Sequence, residues 1–259
     1  MKVPRRYAAA LPAYLAALLA VDTQVGRTGQ AALGLLTCAV LLLALRLLPP
    51  LLRAQTVGVV VFATLGEVLG SLVWGVYHYR LHNLPLFIPP AHGLVYLSGV
   101  ALGRSLRERV VATAAAASAA AWGIAGLTLL PRLDVAGAFG VPFLLLYLRR
   151  SRWRASYAGV FLVVAALELY GTSIGTWRWA TDLPGLGIPD GNPPSGVASG
   201  YVWFDVMGLL VAPVLLYAAG MLKPKRAIRS SGALRSSIRR SEPIGTMSAS
   251  GSSSRASLT

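Results

Sequence analysis

Two glutamates lie inside long apolar runs about a hundred residues apart, each followed by a glycine at +3 and a hydroxyl at +4. The first run reads Glu67-Val-Leu-Gly70-Ser71-Leu-Val-Trp74-Gly-Val-Tyr77-His78-Tyr79-Arg80. The second reads Glu168-Leu-Tyr-Gly171-Thr172-Ser-Ile-Gly175-Thr-Trp177-Arg178-Trp179. A Pro-rich segment follows each, Ile88-Pro89-Pro90-Ala-His92-Gly93 and Ile188-Pro189-Asp190-Gly191-Asn192-Pro193-Pro194-Ser195. An ionisable group at mid-membrane depth is expensive, so two in matching settings mark a functional site. Carboxyl groups placed there can exchange protons with a substrate or carry a coupled proton.

Helical spacing extends each glutamate into a stripe. Steps of +4, +7 and +11 reach Ser71, Trp74 and His78 from Glu67, and Thr172, Gly175 and Trp179 from Glu168. Gly70 and Gly171 leave room for a neighbouring helix to come close. Tyr77, Trp177 and their aromatic neighbours fit an interfacial belt and also the mouth of a pocket. Arg80 and Arg178 stand at equivalent places, where they pair with an acid, bind an anionic headgroup or snorkel. Asn192 precedes the last apolar run as a helix cap, and His92 holds the comparable place earlier. Asp205 supplies a third intramembrane carboxyl, with Arg178 or His92 as its expected partner. The expected catalytic set is therefore Glu67, Glu168 and Asp205. The expected substrate-binding set is Ser71, Trp74, Tyr77, His78, Arg80, His92, Thr172, Trp177, Arg178, Trp179 and Asn192. No HExxH motif is present, and no metal is expected. No P-loop or GxGxxG motif is present either, and no cofactor is expected.

These residues must be positioned by membrane-spanning helices. The chain has 259 residues, 55% hydrophobic and 13% charged, about half the charge of an ordinary soluble domain. The apolar residues define an all-α polytopic bundle of about eight spans, at 7–22, 31–48, 55–79, 91–106, 109–131, 134–149, 155–179 and 200–222. Residues 1–20 have the charge pattern of a signal peptide but lack a small-x-small cleavage site, and read as a retained first helix. All but four of the 24 Lys and Arg residues fall at one end of these spans or in the tail, the exceptions being Arg27, Arg80, Arg132 and Arg178. The positive-inside rule then places both termini in the cytoplasm of a multi-pass protein of the cell membrane. The net charge of +15 is accounted for by this topology, so nucleic acid is not an expected partner. Membrane lipids are. The bundle covers 1–222, and 223–259 reads as a disordered, basic, Ser- and Arg-rich cytoplasmic tail. Because each glutamate span is the third of four, the halves 1–106 and 107–222 form a four-plus-four repeat in parallel orientation. Cys38 lies alone in an apolar run and excludes an intrachain disulfide.

The strings Trp74-Gly-Val-Tyr77-His-Tyr79-Arg80, Pro89-Pro90-Ala-His92-Gly93 and Asn192-Pro-Pro-Ser195-Gly196 resemble those of uncharacterised bacterial polytopic membrane proteins. The Glu-x-x-Gly helix followed by aromatics and a Pro loop is also similar to membrane proteins of carotenoid biosynthesis. That resemblance covers about 60 residues and implies a lipid or isoprenoid substrate. Three functions stand open: an intramembrane enzyme using Glu acid/base chemistry, a small proton-coupled transporter, and a non-catalytic accessory or assembly protein. The first is favoured by polar and aromatic groups crowding one end, since the other end reads as nearly pure Ala, Leu and Val.

Overall fold

A computed structural model describes residues 3–221. The helices among the described residues are α1 (Tyr7–Asp22), α2 (Arg27–Arg46), α3 (Pro50–Glu67), α4 (Ile88–Ser105), α5 (Glu108–Thr128), α6 (Val135–Ala138), α7 (Gly140–Arg150), α8 (Arg154–Ser173) and α9 (Val197–Ala218). Pro50 and Pro89 open α3 and α4 in the first turn, where a missing N–H costs nothing. Five helices among the described residues are long and apolar enough to cross a membrane: α2, α3 with its extension to Trp74, α5, α8 and α9. Their outward side chains, such as Leu35, Leu42, Val61, Leu65, Leu210 and Val214, are apolar and exposed, as an integral membrane protein requires.

The count of eight apolar spans is not reproduced in full. α1 has 16 residues, short of the roughly 20 that a crossing takes. The sixth expected span is broken at Phe139 into pieces of 4 and 11 residues. α4 is the central helix, buried from His92 to Ala101 on every side, so its polar residues face protein. The tail expected at 223–259 lies outside the described residues.

Glycines bring two helix pairs into backbone contact. Gly58 of α3 meets Gly208 of α9, where a β-carbon would stand 3.0 Å from the facing Cα. On α4, Gly99 and Gly103 meet α8 at Gly159, Val160 and Ala155. Without water to drive association, such close packing is a main source of helix–helix affinity in a bilayer.

The fold is not purely helical. α3 runs into a π-helical segment, Val68–Trp74, and stops at Gly75, whose φ of +78° suits only glycine comfortably. α8 stops before Gly175, also at +78°. Beyond these stops β1 (Tyr77–Tyr79) and β2 (Trp177–Trp179) pair antiparallel. The expected spans 55–79 and 155–179 therefore end five or six residues early. A second hairpin, β3 (Asp182–Leu183) with β4 (Ile188–Pro189), lies on the same end of the bundle, here called the ribbon end.

Candidate functional site

The ribbon's register is centred on His78 opposite Arg178, with Tyr77 facing Trp179 and Tyr79 facing Trp177. Side chains on a strand alternate between faces. Tyr77, Tyr79, Trp177 and Trp179 point into the bundle, while His78 and Arg178 point outward and are exposed.

The inward aromatics hold the two glutamates. Tyr77 and Tyr79 each donate a hydroxyl hydrogen bond to Oε2 of Glu67, at 2.5 and 2.6 Å. His92 of α4 approaches Oε1 of the same carboxyl at 3.1 Å. Glu168 takes both its bonds on Oε2, from the indole N–H of Trp177 at 2.9 Å and of Trp179 at 3.4 Å. Its Oε1 accepts no hydrogen bond from the described residues. Glu67 thus has hydrogen-bond partners on both oxygens, and Glu168 keeps one oxygen without a partner among the described residues. Burial, then the adjacent Glu67 carboxyl, hold the Tyr77 and Tyr79 phenols well above their ordinary range, so both remain donors.

Local geometry explains how each motif reaches its carboxyl. Val76 and Thr176 donate their N–H groups to the carbonyls of Gly70 and Gly171 as the chain leaves the helix. The aromatic that follows then folds back onto the glycine. A β-carbon at Gly70 would stand 3.0 Å from the Tyr77 ring, and one at Gly171 would overlap the Trp177 ring. These glycines accommodate an aromatic of their own motif, not the neighbouring helix expected from sequence. The first motif is one residue longer from Glu to aromatic, and its π-helical turn absorbs the extra residue, as such insertions do near functional sites.

Both carboxyls line one cavity of about 600 Å³. Its walls come from α1 (Leu15, Leu18, Leu19), the α3 end, the ribbon, α4, α8 and the start of α9. Most of the lining is apolar or aromatic, the make-up of a small-molecule site with few placed polar groups. Leu69, Trp74, Gly200 and Trp203 line it yet are exposed. The mouth therefore lies between the π-helical segment and α9, on the side of the bundle where the neighbouring surface is apolar. Trp74 spans this opening by donating its indole N–H to the carbonyl of Pro184 in the β3–β4 hairpin, at 2.9 Å.

Of the expected site residues, Glu67, Glu168, Trp74, Tyr77, His92, Trp177 and Trp179 line the cavity. Ser71 and Thr172 do not. Each hydroxyl donates to the carbonyl of its own glutamate, both at 2.7 Å, and spends its polarity on the helix. Asn192 accepts from the Trp179 backbone N–H at 2.9 Å and fixes the ribbon instead of capping α9. Arg80 is tied to the α1–α2 turn, donating to the carbonyls of Asp22 and Val25 near the Asp22 carboxyl. His78 and Arg178 lie on the ribbon's other face.

Asp205 is not part of this cavity. It is buried among Gln55, Tyr96, Arg104 and Tyr157 toward the opposite end, with Oδ2 lacking a hydrogen-bond partner among the described residues. Tyr96 donates to Gln55 beside it at 3.2 Å. The expected pairing with Arg178 or His92 is corrected, and the far half of the bundle is less purely apolar than its helices suggest. Tyr79, Tyr201 and Phe204 also line the cavity and lay outside the expected set. The alternation Tyr-His-Tyr and Trp-Arg-Trp carried the signal for Tyr79, since a period of two marks a strand.

At the ribbon end Asp134 anchors the roof. Its carboxyl accepts backbone N–H groups from Gly137, Gly191 and Ser195 at 2.9, 3.1 and 2.6 Å. Arg132 donates to the carbonyls of Trp179 and Ala180. Burial first, and the Asp134 carboxyl second, push the neighbouring Asp190 up to about 7. Among the described residues no cluster of three or more His, Cys, Asp or Glu could hold a metal ion. No family model, curated protein or solved structure matches the chain.

Proposed function

We propose that this protein is an intramembrane enzyme performing acid/base chemistry on a lipid or isoprenoid chain. One observation carries the reading: two carboxyls from different helices meet in a single apolar cavity whose mouth opens on the apolar side of the bundle. Glu168 is the group that meets the substrate, because it lines the cavity and its Oε1 accepts no hydrogen bond from the described residues. A proton given from Oε1 to a carbon–carbon double bond leaves a cation, which the ring faces of Trp177 and Tyr201 stabilise. Glu67, with His92 behind it, takes the proton lost from the neighbouring carbon or from an adding water, so charge and protons balance. Substituting Glu168→Gln or Glu67→Gln should each lower turnover by about 10²- to 10⁴-fold. The measurement is the precursor-to-product lipid ratio in deletion cells supplied with each variant. Wild-type ratios with both variants would overturn the reading.

The orientation proposed is ribbon end outward, with both termini cytoplasmic in the cell membrane. It draws support from the basic residues at the far end and from Arg27, Arg80 and Arg132 being occupied with backbone carbonyls. A parallel four-plus-four repeat is part of the proposal. It is supported by the glycine contacts of α3 with α9 and of α8 with α4, which exchange under it, and by the ribbon register centred on His78 and Arg178. Against it, α1 packs on α4 while α5 packs on α8. Proton-coupled transport is the second reading. The buried cluster of Asp205, Tyr96 and Gln55 favours it by placing polar groups in the far half.

A further inference from the structure

The ribbon has a second face, and the enzymatic reading uses none of it. A separate recess of about 290 Å³ lies there, lined by His78, Arg80, His82 and Arg178 with no carboxylate. Arg80 is occupied by the α1–α2 turn. Arg178 makes no hydrogen bond or ion pair among the described residues. It sits directly across the ribbon from His78, so the two side chains stand side by side on the outward face. His82 joins them from the following turn with φ of +52°, a left-handed conformation that a non-glycine residue adopts at a cost. That conformation brings its ring to 6.0 Å from the His78 ring. Three basic side chains thus converge without a counter-ion on one recess, and one of them is held there by unfavourable backbone geometry.

We infer that the outward face of the ribbon binds a phosphate-type anion, with Arg178 making charge-assisted hydrogen bonds and His78 and His82 completing the shell. Such an anion gives the Arg178 guanidinium a partner at an end of the bundle where Arg27, Arg80 and Arg132 are occupied by backbone carbonyls. The same phosphate chemistry is offered by a lipid headgroup and by free phosphate. The site shares Tyr79, Trp177 and Trp179 with the cavity wall but not its carboxyls, so it stands independently of the proposed reaction.

The test titrates purified full-length protein in neutral detergent with inorganic phosphate and with dioctanoyl phosphatidic acid, followed by calorimetry. Saturable binding should weaken about tenfold in Arg178→Gln and again in His78→Gln, as loss of one charged hydrogen bond each. The basic tail is common to all variants and cancels in the comparison. Glu168→Gln should bind as wild type does, which separates this site from the proposed catalysis. Similar affinity for both probes supports free phosphate as the ligand, and tighter binding of the phosphatidic acid supports a headgroup. The inference is overturned if Arg178→Gln and His78→Gln bind both probes as wild type does, or if neither probe saturates. Both side chains are exposed, and a thermal melt of each variant confirms that the fold is kept.

Discussion

The two glutamates differ in what holds them, and that difference assigns their roles. Glu67 has phenols and an imidazole as partners, groups that can pass a proton onward. Glu168 has only indole N–H donors, which can orient a carboxyl but accept nothing from it. Trp177→Phe keeps a ring over Gly171 and deletes the 2.9 Å bond to Glu168. It should lower stability by about 1–3 kcal/mol in thermal denaturation, and Trp179→Phe, whose bond is 3.4 Å, should cost less. The glycines beneath the rings give a second comparison. Gly171→Ala drives a methyl into the Trp177 ring and should destabilise by about 1–3 kcal/mol. Gly70→Ala, whose methyl would stand 3.0 Å from the Tyr77 ring and push it by only a few tenths of an ångström, should cost less, and Gly200→Ala, with nothing within 4 Å, should stay within about 0.5 kcal/mol.

At the scale of elements, the ribbon and the Asp134 anchor turn two helix ends into a roofed site. Asp190 gives that roof a pH signature. Its folded value of about 7 lies above the ordinary 3.8, so the folded state holds a proton that the unfolded chain releases. Its contribution to stability is complete below about pH 3.8 and is lost as pH rises through about 7, with no further change above. Melting temperatures across that window should fall in wild type relative to Asp190→Asn, and parallel curves for the two proteins would contradict the assignment. These elements were only partly legible. The carboxyls and inward aromatics stood out as polar or ring residues in apolar runs. The ribbon is hard to tell from helix in the sequence, because three-residue strands carry too little periodicity against a 20-residue apolar background, although Gly75 and Gly175 mark its start. Ser71 and Thr172 looked functional on a helical stripe, yet in an apolar setting a hydroxyl four residues after a carbonyl satisfies itself there.

Across the whole molecule, the helices that carry chemistry are those that pack by glycine. α4 and α8 form the buried pair, and α2, α3, α5, α7 and α9 present apolar side chains outward. Gly159→Val would push α8 off the α4 backbone and should abolish recovery of folded protein, read by size-exclusion profile in detergent. Membrane character was evident from composition, whereas the burial of α4 was not, since hydropathy does not say whether a helix faces lipid or protein. The surroundings of Asp205 are hidden from the sequence for a related reason: depth along one helix does not reveal which neighbours reach that depth. The most direct measurement reconstitutes the protein in vesicles containing a phospholipid with a diazirine on its acyl chain, irradiates it, and maps the adducts by mass spectrometry. A chain that enters between the π-helical segment and α9 should mark the peptides bearing Glu67 and Glu168. Adducts confined to outward residues such as Leu35, Leu42 and Leu210 would contradict the account.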